Sequence, residues 1–226
     1  MSDSSTFSIF YTNSGDLRNK LPELITVSNA YKNCKIICVT ETKFHSEILD
    51  AEINIPNFTV YRSDRANGKS GGGSCIYVSN AIRVSRIENF SANDSIAVLI
   101  DMEPSPILLA CVYRTQALTW EENQELVTQI NSLEVPPGGE MVVIGDFNMP
   151  DVEWNTGVVK CPVSTVDKRF VIQQQMLDMF YSKNLNWIFD DDTVTRRRLV
   201  DGVLQESLLD QVIYWLLILI LLETHV

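Results

Sequence analysis

Residues 142–151 read VVIGDFNMPD. Three β-branched apolar residues, Val142, Val143 and Ile144, run into Gly145, and an acid, an aromatic residue and an amide follow at Asp146, Phe147 and Asn148. A short apolar run closed by a glycine is the pattern of a buried strand. Working outward, similar runs recur at Phe7–Thr12, Lys35–Thr40, Phe58–Tyr61, Ser74–Ser79, Ser95–Asp101, Pro106–Tyr113, Asn186–Asp190 and Leu209–Tyr214. Helical patterns lie between some of them. Pro22 suits the first turn of a helix carrying Leu21, Leu24, Ile25 and Ser28 toward Tyr31. Thr119-Trp120-Glu121-Glu122 has the form of a capping box opening a helix with Leu126, Ile130 and Leu133 inside. A third helix is predicted over 166–183. Strands that follow one another through short turns imply antiparallel pairs, and the intervening helices imply crossovers. The expected fold class is α/β, a two-sheet sandwich with helices packed outside.

The chain has 226 residues, 45% of them hydrophobic, enough for one domain with a sizeable core. No repeat, low-complexity tract or linker rich in Pro, Gly or Ser divides it. A formal net charge of −11 argues against a protein that coats nucleic acid non-specifically, because neutralising phosphates takes clustered Lys and Arg. Local basic grooves remain compatible with it. The five cysteines, Cys34, Cys38, Cys75, Cys111 and Cys161, form no C-x-x-C pair and read as small core residues in a reducing compartment. The start, MSDSSTFSIFY, shows no secretory pattern, so an intracellular protein is expected. Residues 212–222, VIYWLLILILL, form an apolar run too short for the roughly 20 residues of a membrane span.

Polar residues close strand after strand. Asn13 follows FSIFYT, Glu41 follows IICVT, Tyr113 and Arg114 follow LLACV, Asp146 and Asn148 follow VVIG, and Asp210 lies in LLDQVIY. Any one of them alone is an ordinary turn residue. Delivered together to one rim by rigid strands, they make a hard-oxygen site suited to Mg²⁺ and a phosphate ester.

In their order these segments resemble the endonuclease/exonuclease/phosphatase superfamily, and within it the apurinic-type endonuclease domain of non-LTR retrotransposon polyproteins. The carriers are YTNSGDLRNKLPEL (11–24), ICVTETK (37–43), YRSDRANGKSGGGSCIYV (61–78), VYR (112–114), VVIGDFNMPDVEW (142–154), VTRRR (194–198) and SLLDQVI (207–213). The resemblance implies a two-sheet α/β sandwich, a divalent metal, Mg²⁺ or Mn²⁺, and cleavage of one strand of duplex DNA, with the nucleus as site of action. It gives Glu41 the metal and Asn13 a part in holding that metal site. It gives Asp146 the attacking water, Asn148 the scissile phosphate, and Tyr113 a place near the phosphate or leaving group. Asp210 matches an aspartate that orients a catalytic histidine.

That histidine belongs to a Ser-Asp-His motif on a further strand, and no Ser-Asp-His occurs in this chain. Its two histidines are His45, in the loop after Glu41, and His225, beside the terminus. Residues 1–214 are therefore expected to form the domain without its last strand, truncated or frame-shifted, with 215–226 an aberrant apolar tail. The GKS within Asn67–Gly73 lacks a P-loop's first glycine and precedes a strand rather than a helix. Its triple glycine reads as a turn beside a groove. Arg62, Arg65, Lys69, Arg114, Arg196 and Arg197 are the candidates for DNA phosphates. Three functions stay open: a DNA-nicking enzyme, another phosphodiesterase or phosphatase of the same fold, and a non-catalytic remnant. No membrane and no obligate protein partner is expected.

Overall fold

The computed structural model describes residues 8–31, 33–65, 71–90, 94–103, 105–153, 158–160, 168–182, 186–189, 196–198 and 216–218. One sheet holds β1 (Ser8–Asn13), β2 (Cys34–Thr40), β3 (Phe58–Ser63), β4 (Ser74–Ser79) and β13 (Leu216–Ile218), in the order β13-β1-β2-β4-β3. The other holds β5 (Arg83–Asn89), β6 (Ile96–Asp101), β7 (Ile107–Tyr113), β8 (Glu140–Asp146), β11 (Asn186–Phe189) and β12 (Arg196–Arg198), in the order β12-β11-β8-β7-β6-β5. A small ribbon pairs β9 (Val152–Glu153) with β10 (Val158–Val159). Both large sheets are mixed. β1 and β2 run parallel, as do β7 and β8, because α1 (Leu17–Ala30) and α2 (Trp120–Ser132) make the crossovers. α3 (Lys168–Ser182) precedes β11, which is parallel to β8.

Alternation along the strands builds three apolar layers. Ile9, Tyr11, Ile36, Cys38, Ile76 and Val78 of the first sheet meet Val98, Leu109, Cys111, Val142 and Ile144 of the second between the sheets. The opposite face of the first sheet, Phe10, Ile37, Val39 and Tyr77, packs on Leu17 and Leu24 of α1. The opposite face of the second, Leu108, Ala110, Val112 and Val143, packs on Leu126 and Ile130 of α2 and on Met176 and Leu177 of α3. The central strands are covered on both sides, which is why VVIG and LLACV are continuous apolar runs rather than alternating ones. Each fully buried Ile or Leu contributes about 1.5–3 kcal/mol.

The expected two-sheet sandwich is the observed architecture. The capping box forms as read: Thr119 Oγ1 accepts from the Glu122 amide at 3.2 Å, and Glu122 Oε2 accepts from the Thr119 amide at 2.8 Å. The first helix starts at Leu17, so Pro22 lies inside it rather than in its first turn. A tertiary contact sets that start, since Leu17 is fully buried and its amide donates to Thr42 O at 3.2 Å. Strand β5 lies in a stretch not anticipated as a strand. At the sheet edge its side chains alternate between exposed and half-buried, so it carries Arg83, Arg86 and Glu88 in place of an apolar signal. The expected strand over 209–214 and residue Asp210 lie outside the described residues. Leu216–Ile218, from the apolar run at 212–222, pair antiparallel with Ile9–Tyr11 along the edge of β1. No helix among the described residues is long and apolar enough to cross a membrane.

Candidate active site

The register of each parallel pair puts two strand ends side by side. Asn13 lies opposite Thr40, one residue before Glu41, and Tyr113 lies opposite Asp146. Asn13 shares the strand face of Ile9 and Tyr11, while Tyr113 and Asp146 share that of Cys111 and Ile144, so all three sit on the faces that meet between the sheets. Two hydrogen bonds join the sheets at this rim. Asn13 Nδ2 donates to Asp146 Oδ2 at 3.0 Å, and the Tyr113 hydroxyl donates to Glu41 Oε1 at 3.1 Å. The amide of Asn148 donates to Asp146 Oδ1 at 3.1 Å, so each carboxylate oxygen of Asp146 has a fixed donor. Asn13, Glu41, Tyr113, Asp146 and Asn148, chosen from sequence, are thus brought together.

Beneath the rim, the Tyr11 hydroxyl and Thr40 Oγ1 lie 2.9 Å apart in the buried interior. Ser14, a residue sequence reasoning missed, donates through Oγ to the carbonyls of Thr40 at 3.1 Å and Glu41 at 3.0 Å. Glu41 has φ +53°, a left-handed conformation costly for a residue with an ordinary side chain. The chain after it is pinned by Thr42 N to Gly73 O at 3.2 Å and Lys43 N to Gly72 O at 2.9 Å. The triple-glycine turn therefore packs against the glutamate's own loop. Asn148 is also left-handed, at φ +47°, a position asparagine tolerates. Gly145, in β8 just before Asp146, faces the Val112 backbone so closely that an added Cβ would lie 1.8 Å from Val112 O.

Burial, and then the negative charges of Glu41 and Asp146, push the Tyr113 phenol well above its ordinary range. It therefore stays protonated and remains the donor in its bond to Glu41. Among the described residues no three His, Cys, Asp or Glu side chains cluster as a closed metal cage requires. The donor set at the rim is instead all oxygen, with carboxylates at Glu41 and Asp146 and an amide at Asn13, which fits Mg²⁺ bound through one or two carboxylates and completed by water.

The basic candidates divide sharply. Arg114 is only 4% exposed and does not face outward as a phosphate contact would. Its Nε donates to Asn123 Oδ1 at 2.8 Å, and its Nη1 donates to the carbonyls of Phe147 and Asn148 at 2.9 Å each. Burial lowers its pKa to about 10, against the pull of the Asp146 charge, and it remains a cation at neutral pH. Arg62 is likewise turned inward. It donates to Asp64 through Nε at 2.8 Å and also through Nη2, to Ile48 O at 2.8 Å, to Asp50 Oδ1 at 3.0 Å and to His45 O at 2.9 Å. Its charge is thereby matched by two carboxylates, and its donors tie the 45–50 loop to β3. Arg65 Nε lies 3.5 Å from Asp94 Oδ2, and the positive charge of Arg65 reaches Tyr113. Arg196 and Arg197 belong to β12, but their side chains, with Lys69 and His225, lie outside what is described. His45 is half-exposed, with Nδ1 3.9 Å from Glu47 Oε2.

Solved structures with this fold include an AP endonuclease from Archaeoglobus fulgidus, 17% identical over 76% of this chain and 70% of that one, with a TM-score of 0.54. The APE2 catalytic domain from Xenopus laevis is 16% identical over 77% of this chain and 67% of that one, TM-score 0.55. A 3′ phosphatase, NExo, from Neisseria bound to a product DNA hairpin is 14% identical over 76% of this chain and 71% of that one, TM-score 0.50. At such identities the likeness is one of fold. No curated protein sequence gives a significant match. Residues 12–165 match the model of the Endonuclease/Exonuclease/phosphatase family, a span that holds Asn13, Glu41, Tyr113, Asp146 and Asn148, and the chain belongs to that family.

Proposed function

We propose that this chain is a metal-dependent phosphodiesterase built to nick one strand of duplex DNA, as in the endonuclease domain of a non-LTR retrotransposon. The observation that carries this reading is the pair of cross-sheet bonds, Asn13 to Asp146 and Tyr113 to Glu41, which holds two carboxylates and a protonated phenol at one rim. Phosphoryl transfer asks mainly for positioning and charge stabilisation, which fixed donors of this kind supply. Glu41, with Asn13 in support, would hold Mg²⁺ or Mn²⁺, and the ion would neutralise charge on the phosphate. Asp146, with both oxygens oriented, would position and deprotonate the attacking water. Asn148, whose Nδ2 donates one hydrogen to Arg114 O at 2.8 Å, would offer the second Nδ2 hydrogen to the phosphate. Tyr113 would donate toward the phosphate or the leaving oxygen. DNA is favoured as substrate by the retrotransposon-like order of the motifs and by the DNA hairpin bound to the Neisseria phosphatase.

The sequence holds no Ser-Asp-His, and His45, the one histidine among the described residues, is half-exposed with Nδ1 3.9 Å from Glu47 Oε2. Loss of a general acid or base costs on the order of 10²–10⁴ in rate, so slow nicking is expected. Relaxation of supercoiled plasmid in Mg²⁺ tests this with four chains: the parent, Glu41→Gln, Asp146→Asn, and a version whose residues after Tyr214 are replaced by a strand bearing Ser-Asp-His. The last should nick at least about 10²-fold faster than the parent. Both substitutions, made in that faster chain, should abolish nicking. A repaired chain that leaves plasmid intact but releases phosphate from a 3′-phosphorylated end would assign the site to a phosphatase instead.

A further inference from the structure

Arg114 stands at the centre of a buried network, and no role assigned so far uses its guanidinium. It follows β7 directly and reaches three elements. Its amide donates to Asp146 O at 2.8 Å, and its carbonyl accepts from Asn148 Nδ2 at 2.8 Å. Its guanidinium donates to the carbonyls of Phe147 and Asn148, and to Asn123 Oδ1 in the first turns of α2. Asn123 is itself 4% exposed, and its Nδ2 donates to Leu118 O at 3.1 Å and Thr119 O at 2.7 Å. The hydrogen bonds described between Arg114 and the turn after Asp146 run to main-chain oxygens and to the Asn148 side-chain amide, so the arginine shapes the turn. The turn needs such support because Asn148 is left-handed, and its own amide must stay on Asp146 Oδ1.

We infer that Arg114, braced by Asn123, is the positioning residue that fixes Asp146 and Asn148 in reactive register, coupling the start of α2 to the chemistry. This rests on the nuclease reading for its kinetic consequence but not for its structural one. Lysine at 114 keeps the charge and loses the planar fork that serves Nε and Nη1 partners at once. A carboxylate or amide displaced by about 1 Å costs on the order of 10²-fold in rate.

Two measurements on the full chain, with the Ser-Asp-His strand restored for the kinetic one, decide the matter. First, amide hydrogen exchange at Asn148 is compared in the parent, Arg114→Lys and Asn123→Ala, each checked for folding by circular dichroism. Both variants should lose protection at Asn148, by about 10-fold or more, while amides in β1 and β2 keep theirs. Second, nicking kinetics are compared at several salt concentrations. Arg114→Lys and Asn123→Ala should lower kcat, the former by about 10²-fold, with KM within a few-fold and an unchanged salt slope. Arg114→Ala should regain part of its rate on addition of guanidinium ion, which can occupy the vacated space. The inference is overturned if Asn148 protection is unchanged in both variants, or if removing Arg114 raises KM and flattens the log–log salt slope by about 0.9, the mark of a direct phosphate contact. A chain with the Ser-Asp-His strand restored that hydrolyses no phosphodiester would defeat the nuclease reading alone, since the exchange measurement stands without activity.

Discussion

Replacing Gly145 with alanine should be among the most damaging single changes in this chain, and its cost can be worked from the backbone. The new Cβ would lie 1.8 Å from Val112 O, 2.8 Å from Val112 C and 2.9 Å from Val112 N, all main-chain atoms of the paired strand β7. No rotamer moves a Cβ, so the strands themselves must part, by about 1.2 Å to bring the closest contact out to 3.0 Å. An opening of that size breaks a normal ladder hydrogen bond, whose length is close to 2.9 Å. Overpacking of a tight interior costs about 1–3 kcal/mol and the lost bond about 1 kcal/mol, so a total of about 2–4 kcal/mol is expected. That is a large part of the roughly 5–15 kcal/mol that stabilises a domain. Gly138 supplies the control, because its φ is +76° and nothing lies within 4 Å of its added Cβ. Gly138→Ala should cost only the conformational strain, about 1–2 kcal/mol. Urea denaturation followed by circular dichroism measures both. Equal midpoints for Gly145→Ala and Gly138→Ala would refute the steric account of the glycine before Asp146.

Two further outcomes are expected. Arg62→Met should destabilise the fold by about 2–3 kcal/mol in urea, since it strands Asp64 and frees the 45–50 loop, yet leave the salt dependence of DNA binding untouched. A salt slope reduced by about 0.9 would put Arg62 on a phosphate after all. Tyr77 is pushed well above the ordinary phenol range by burial, with its hydroxyl donating to Ile53 O at 2.9 Å. Because the folded form holds this proton more tightly than the unfolded form, its contribution is fully present below about pH 10 and is lost as pH rises above that toward the folded value. In urea melts between about pH 8 and 11 the parent should therefore lose stability more steeply above about pH 10 than Tyr77→Phe, which has no phenol to ionise; identical slopes in both would contradict the assignment.

The sequence carries the strands because burial on both faces writes an apolar run that needs no partner to be recognised, as at Val142–Ile144. It carries the rim because Asn13, Glu41, Tyr113 and Asp146 lie at or next to strand ends. It carries much less of what the cations do. Arg114 reads as a surface charge after a strand, and only the fold shows that α2 brings Asn123 beneath it at 2.8 Å. Arg62 left a clue that went unused, since Asp64 two residues on lies on the same side of an extended chain and is a ready partner. Ser14 left none, because its acceptors at Thr40 and Glu41 come from a neighbouring strand. The start of α1 escaped for the same reason. Leu17 is helical because Thr42 accepts its amide, whereas Pro22 is the stronger local signal.

The site's two defining bonds join residues 133 and 72 positions apart, each linking the second sheet to the first or, at Glu41, to the loop that follows its strand β2. Neither sheet alone contains the site. Its geometry is set by how the faces carrying Ile9, Tyr11, Ile36 and Cys38 and those carrying Leu109, Cys111, Val142 and Ile144 interdigitate. A core this dense transmits a change of one methylene as a shift of the layers, so substitutions between the sheets should reach Asp146 and Glu41 even where they touch neither. The arrangement also separates two kinds of support. The inter-sheet layer sets the distance between the carboxylates, while the buried cation at Arg114 and the left-handed loop at Glu41 set their orientation. Distance and orientation fail differently: on the proposed phosphodiesterase reading, loosening the core should weaken binding, whereas loosening a brace should lower turnover and leave binding nearly intact.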